Sequence, residues 1–144
     1  VSAFLLTRSS DLAINGKKVD YDGAFGAQCV DLARQYWKEG QNIPEHTGSC
    51  STTGGAKDLY LDYNKMPIEK KYFTRIPKSK AFVPGDTLIW DSTETNKYGH
   101  VAIYLGKLNN SLIVFEQDGF KQDGAKINLR SNIKNNMKSK GTSK

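Results

Sequence analysis

The sequence predicts an α+β domain, with helices from its first half packed on an antiparallel sheet from its second. Two observations carry this. As far as about residue 64 the apolar residues recur at helical spacing, and after Val83 they alternate at period two. Helices first and strands afterwards is the order of an α+β domain, the helices covering one face of the sheet. A third observation limits the answer: 144 residues are enough for one well-formed core and too few for two.

Residues 1–19 hold a short apolar start, a Ser9-Ser10-Asp11 cap signal and an Asn15-Gly16 turn. Cys29, Leu32, Ala33 and Tyr36 then fall at i, i+3, i+4 and i+7, which predicts a helix from Cys29 to about Lys38, stopped by Gly40. A second helix is expected over Gly55 to Asn64, capped by Thr52 or Thr53, with Ala56, Leu59, Tyr60 and Tyr63 on its apolar side. Met66 to Lys80 reads as a charged connection interrupted by Pro67 and Pro77. Val83-Pro84-Gly85-Asp86 is a turn. Strands are expected at Thr87 to Trp90, His100 to Leu105, Ser111 to Asp118 and Lys126 to Arg130.

The formal charge is +6, but residues 134–144 carry four lysines and no acid, which leaves +2 for the rest. Residues 1–133 are therefore expected to form the domain, and 134–144 a basic, disordered tail or linker. That charge is not interleaved with aromatics on a folded element, so nucleic-acid binding is not expected, while attraction to a polyanionic cell envelope is. No apolar run approaches a membrane span. Cys29 and Cys50 allow one disulfide at most, so the core and not a disulfide framework holds the fold. The chain starts at Val1, not Met, and is expected to be cut or processed from something longer.

Cys29 is the leading candidate for chemistry. Asp20 to Gly26 reads as a loop, so the thiol sits in the first turn of a helix, where unpaired N–H groups and the macrodipole favour an anion. A thiolate is the nucleophile. The plain alternative is a buried cysteine acting as a small hydrophobe. If Gly106 to Asn110 is a five-residue hairpin loop, His100 faces Glu116, with Asp118 on the same face. A tight Asn109-Asn110 turn would instead oppose His100 to Phe120 or nearly so. Histidine beside a carboxylate, with a helix N-terminal thiol, supplies the parts of a nucleophile–base–orienter site.

Asp20, Asp22, Ala24, Gly26 and Asp31 occupy positions 1, 3, 5, 7 and 12 of an EF-hand-like count, the spacing that converges oxygens on calcium. Gly stands at position 4 instead of 6 and the last ligand is Asp, so spacing alone favours a plain Asp-rich turn. His46 and Cys50 match no standard zinc spacing and are read as structural. Trp90, Tyr98 and Tyr104 are candidates to line a groove, Tyr98 best placed of them.

The run Asp20 to Leu32 resembles the nucleophile region of the CHAP family, the cysteine, histidine-dependent amidohydrolases/peptidases of phage endolysins and bacterial wall hydrolases. Thr53-Gly54-Gly55-Ala56-Lys57-Asp58-Leu59 resembles that family's small-residue segment, and Pro84-Gly85-Asp86-Thr87-Leu88-Ile89-Trp90 the strand before its histidine. Tyr98-Gly99-His100-Val101-Ala102-Ile103-Tyr104 resembles the histidine strand and Phe115-Glu116-Gln117-Asp118-Gly119 the acidic one. The likeness covers about residues 11–130. It implies a papain-like fold, Cys29 as nucleophile, His100 as base and Glu116 as its orienting group. Asp118 stands where the family often has Asn. The resemblance also implies calcium at the loop, held by Asp20, Asp22, Ala24, Gly26 and Asp31.

The function so implied is hydrolysis of an amide bond in bacterial peptidoglycan, as a murein endopeptidase or as an N-acetylmuramoyl-L-alanine amidase. A catalytically inert, calcium-stabilised wall-binding module is the alternative of another class. The expected setting is a bacteriophage or bacterial lysin with antimicrobial action. It would act at the cell wall from outside or after release from the host cytoplasm, as a monomer attached to a wall-binding domain.

Overall fold

The computed structural model describes residues 16–19, 28–43, 55–77, 81–117, 124–130 and 137–143. Helix α1 spans Cys29–Gln41 and begins from an extended Gln28 (φ −110°, ψ 167°). The Asp31 carboxylate reaches back to accept the Gln28 N–H at 2.8 Å, placing an acid in the first turn, where the helix dipole favours it. Leu32, Ala33, Tyr36 and Trp37 are buried, and the predicted stripe is the packed one. The helix does not stop at Gly40. It passes through that residue and ends where Asn42 takes a left-handed φ of 59°. Asn tolerates that conformation, and a glycine inside a helix costs only about 1 kcal/mol relative to Ala.

The second expected helix is broken into pieces. Helix α2 is only Asp58–Leu61, followed by a 3₁₀ turn at Tyr63–Lys65. The segment expected to be a connection holds helix α3, Pro67–Tyr72, and strand β1, Phe73–Pro77. Pro67 starts α3 instead of interrupting, because the first helical position needs no N–H. Ala56 and Leu59 are buried as expected, and Tyr60 and Tyr63 pack against the same cluster.

Strands β2 (Thr87–Trp90), β3 (His100–Leu108), β4 (Ser111–Glu116), β5 (Lys126–Arg130) and β6 (Met137–Ser143) join β1 in one antiparallel sheet, ordered β1-β6-β2-β3-β4-β5. Residues 137–143 were expected in a disordered tail, and here they are a strand between β1 and β2. Composition misleads because a strand is held by main-chain bonds to its neighbours, which require no apolar side chain.

Successive side chains point to opposite faces. Ile89, Val101, Ile103, Leu105 and Phe115 join α1 in the larger core, while Leu88, Trp90, Ala102, Tyr104, Leu112 and Val114 form a second cluster with Phe82. Trp37 ties α1 to the sheet: its ring meets Phe73 edge-on at 4.9 Å, and its Nε1 donates to Thr87 Oγ1 at 2.9 Å. Each fully buried Leu or Ile in this layer contributes about 1.5–3 kcal/mol.

The β3–β4 hairpin corrects the assumed register. Its turn is the tight one, with Leu108 opposite Ser111 and Asn109 at φ 54°. Carried straight on, that register would put His100 and Glu116 on opposite faces. A register shift between Tyr104 and Gly106 absorbs one extra residue, so Tyr104 pairs with Val114 and Ile103 with Phe115. His100 and Glu116 return to the same face as diagonal neighbours.

Candidate active site

The N-terminus of α1 is fixed by the far end of β4. Gln117, fully buried, donates through Nε2 to the Gln28 carbonyl at 2.8 Å and to the Val19 carbonyl at 2.7 Å, and accepts the Val19 N–H at 2.7 Å. Its neighbour Glu116 points to the other face. One dipeptide therefore places both the turn that carries Cys29 and the carboxylate that holds the histidine. Cys29 is a free, half-buried thiol close enough to His100 for its polarity and charge to raise the imidazole's proton affinity.

His100 opens β3. The loop before it is clamped: Lys57 N–H donates to the Tyr98 carbonyl at 3.1 Å, and Asn96 Nδ2 to the Gly99 carbonyl at 2.8 Å. Gly99 has φ +75°, and a Cβ there would lie 2.4 Å from the Trp90 carbonyl oxygen. Only glycine fits this approach.

His100 Nε2 lies 3.0 Å from Glu116 Oε1. A carboxylate only accepts, so Nε2 carries the hydrogen and the other ring nitrogen, Nδ1, is left for the Cys29 sulfur. Burial works to lower the proton affinity of His100, but hydrogen bonds to Cys29 and Glu116 and the charge of Cys29 outweigh it, and the imidazole is pushed up to about 9 against the opposition of Arg130. Burial likewise works to raise Glu116, yet hydrogen bonds from His100, Arg130 and Asn128 and the charge of His100 bring it down to about 2. The pair is an imidazolium and a carboxylate across the neutral range.

Cys29, His100 and Glu116 thus come together as the sequence suggested. Asp118 lies outside the described residues, as do Asp20, Asp22, Ala24, Gly26, His46, Cys50, Thr52 and Thr53. Of the loop expected to hold calcium, Asp31 is described, and it is buried with one oxygen on the Gln28 N–H. A carboxylate offers about four lone-pair sites, so this capping bond is compatible with a ligand role. Among the described residues no group of three or more His, Cys, Asp or Glu is placed to hold a metal. Trp90 and Tyr104 are buried, core residues and not groove, whereas Tyr98 is 42% exposed on the loop leading to His100.

Three residues were missed. Asn128 Nδ2 donates to Glu116 Oε2 at 2.8 Å, Arg130 Nε donates to Oε1, and Gln117 holds the helix start. Trp90, expected at a groove, instead stands buried 5.6 Å from the His100 ring. Period two over Lys126–Arg130 puts Asn128 and Arg130 on one face, but no feature of the sequence sets the register of β5 against β4.

A helix N-terminal thiol beside an imidazole braced by a carboxylate, on an α+β scaffold, has the parts of a cysteine–histidine hydrolase. The chain belongs to the CHAP domain family, whose model matches residues 18–118. Family membership makes it an enzyme of the hydrolase class. The D-alanyl-L-alanine endopeptidase of Streptococcus phage B30 is 34% identical over 91 residues, which span 62% of this chain and 19% of that protein. Two structures match across 92% of this chain and 59% of theirs: Ly7917, at 20% identity and TM-score 0.62, and Ly7917 with the hydrolyzing product of MDP, at 22% and 0.63. The wild-type endolysin LysIME-EF1 matches at 22% identity and TM-score 0.61, over 90% of this chain and 59% of that one. At such identities these likenesses describe the fold. No helix among the described residues is long and apolar enough to cross a membrane.

Proposed function

We propose that this domain is a peptidoglycan hydrolase that cuts an amide bond of the bacterial wall by cysteine nucleophilic catalysis, as an endopeptidase. The observation that carries the reading is His100 held between the Cys29 thiol and the Glu116 carboxylate. The Cys29 thiolate attacks the amide carbonyl carbon, forming the C–S bond of a tetrahedral intermediate. The oxyanion faces the first-turn amide of α1. His100 as imidazolium gives its proton to the departing amine as the C–N bond breaks, then as neutral imidazole takes a proton from the water that hydrolyses the thioester. Glu116 keeps the ring in the tautomer that presents Nδ1 to sulfur. Asp118 is proposed to share that orienting role.

The endopeptidase reading leans on the phage B30 relative, whose matched region is a fifth of its length. The full-length protein is read as a monomeric lysin with a separate wall-binding domain, reaching the wall from outside or at lysis. Calcium, in this reading, is held by Asp20, Asp22 and Asp31 with main-chain oxygens of Ala24 and Gly26, and stiffens the entry to α1. Chelation is expected to lower both melting temperature and lytic rate, with calcium restoring them; an unchanged melting curve removes the metal from the proposal.

The test is alkylation of Cys29 with lysis and wall binding measured together. Lysis should stop while binding persists, and lysis that survives complete alkylation ends the reading. Mass analysis of released muropeptides names the bond: a new peptide amino terminus is expected, and release of the intact stem from its sugar would make the enzyme an amidase.

A further inference from the structure

We infer that Arg130, from β5, is a positioning residue of the active site that keeps Glu116 aimed at His100 Nε2 through the part of the cycle in which His100 is neutral. The inference rests on the reading of Cys29, His100 and Glu116 as the catalytic set. Glu116 has a side chain only 2% exposed, and its Oε1 accepts from His100 Nε2 at 3.0 Å and from Arg130 Nε at 2.5 Å. Asn128 Nδ2 occupies Oε2 at 2.8 Å. Arg130 Nη2 stands 3.2 Å from His100 Nε2, and its Cζ lies 5.3 Å from the centre of the Trp90 ring. Nε2 carries hydrogen, so that approach is of two donors converging on one carboxylate oxygen. The groups facing His100 are therefore Cys29 from α1, Glu116 from β4, Arg130 from β5 and the uncharged Trp90 from β2. Lys126 stands opposite Glu116 in the β4–β5 register.

When His100 has given its proton to the leaving amine, a buried carboxylate facing only a neutral imidazole would tend to take up a proton or turn away. Arg130 stays charged throughout the working range, so Glu116 keeps a cationic partner in both halves of the cycle. The cation–π contact with the Trp90 ring helps hold the guanidinium in place, and with it the direction of the carboxylate. The same permanent charge disfavours the imidazolium, which eases release of the proton.

Arg130→Met keeps the stem and removes the charge. Its kcat should fall on the order of ten-fold, a part of the 10²–10⁴ that general acid–base catalysis contributes, with KM unchanged. The imidazole NMR signal of His100, assigned by its loss in His100→Asn, should titrate about one pH unit higher than in the wild type. Arg130→Lys restores a charge without the fork, so the titration should return towards the wild-type position while kcat stays low. An unchanged kcat in Arg130→Met overturns the inference. So does a lowered kcat with the His100 titration unmoved, because that is a merely structural effect. If Arg130→Met does not fold, wild-type kcat in Arg130→Lys overturns it. Failure of the underlying catalytic reading is distinguishable, because lysis would then survive Cys29 alkylation, whereas the titration needs no substrate.

Discussion

Glu116 carries one negative charge and faces two cations, which gives the site its pH behaviour. His100 holds its proton more tightly folded (about 9) than ordinarily (6.5), so its stabilisation is full below 6.5 and is lost as pH rises through about 9. Glu116 is lowered from 4.5 to about 2, so its contribution is present above 4.5 and is lost as pH falls through about 2. Melting temperatures measured across pH should therefore show these two groups contributing most between 4.5 and 6.5. Activity should fall on an alkaline limb near 9, where the imidazolium is lost. Glu116→Gln removes the anion that holds that proton. It should lower kcat by about 10²–10⁴-fold and move the limb to lower pH; a limb that stays in place would detach Glu116 from His100. At this scale the sequence was legible in type: Cys29, His100 and Glu116 were readable from a helix start, a strand start and a nearby carboxylate. Arg130 and Asn128 were not: the alternation with Ile127 and Leu129 puts them on one face of β5, but the connection from Glu116 to Lys126 is too long to set the register of β5 against β4.

Two elements meet at the end of β4, and Gln117 joins them. Gln117→Ala leaves main-chain groups of Val19 and Gln28 without this partner, at about 1–3 kcal/mol for each one left buried and unpaired. A lower melting temperature and faster hydrogen exchange at the Val19 amide are expected; an amide that exchanges as before would show that the clamp is not what orders this segment. Gly99→Ala should be as damaging, since it strains φ and pushes a methyl group at the Trp90 carbonyl beside His100. The hairpin shows where the sequence stops being legible. The tight Asn109-Asn110 turn is a readable option, but the register shift between Tyr104 and Gly106 that restores His100 to the face of Glu116 is marked only by Gly106, which reads equally well as the start of the turn. Pro67 is ambiguous for a related reason: a proline can end one element or open a helix, and its own identity does not distinguish the two.

At the scale of the whole molecule, β6 decides whether the sheet is continuous. Removing residues 137–143 should unpair β1 and β2 along facing edges and cause a cooperative loss of stability seen by circular dichroism. A truncated chain that melts like the intact one would restore the reading of that segment as a tail. The α+β order was visible from the change of period near Val83. The place of β6 was not, because its lysines and small residues carry no alternation, and only the unpaired edges it fills explain it. These scales converge on Cys29, held by α1, aligned by Gln117 and paired with His100. The most direct measurement is the rate of wall hydrolysis by Cys29→Ala, with circular dichroism verifying its fold. Hydrolysis at background with the fold intact is the expected result, and hydrolysis near the wild-type rate would contradict a catalytic Cys29.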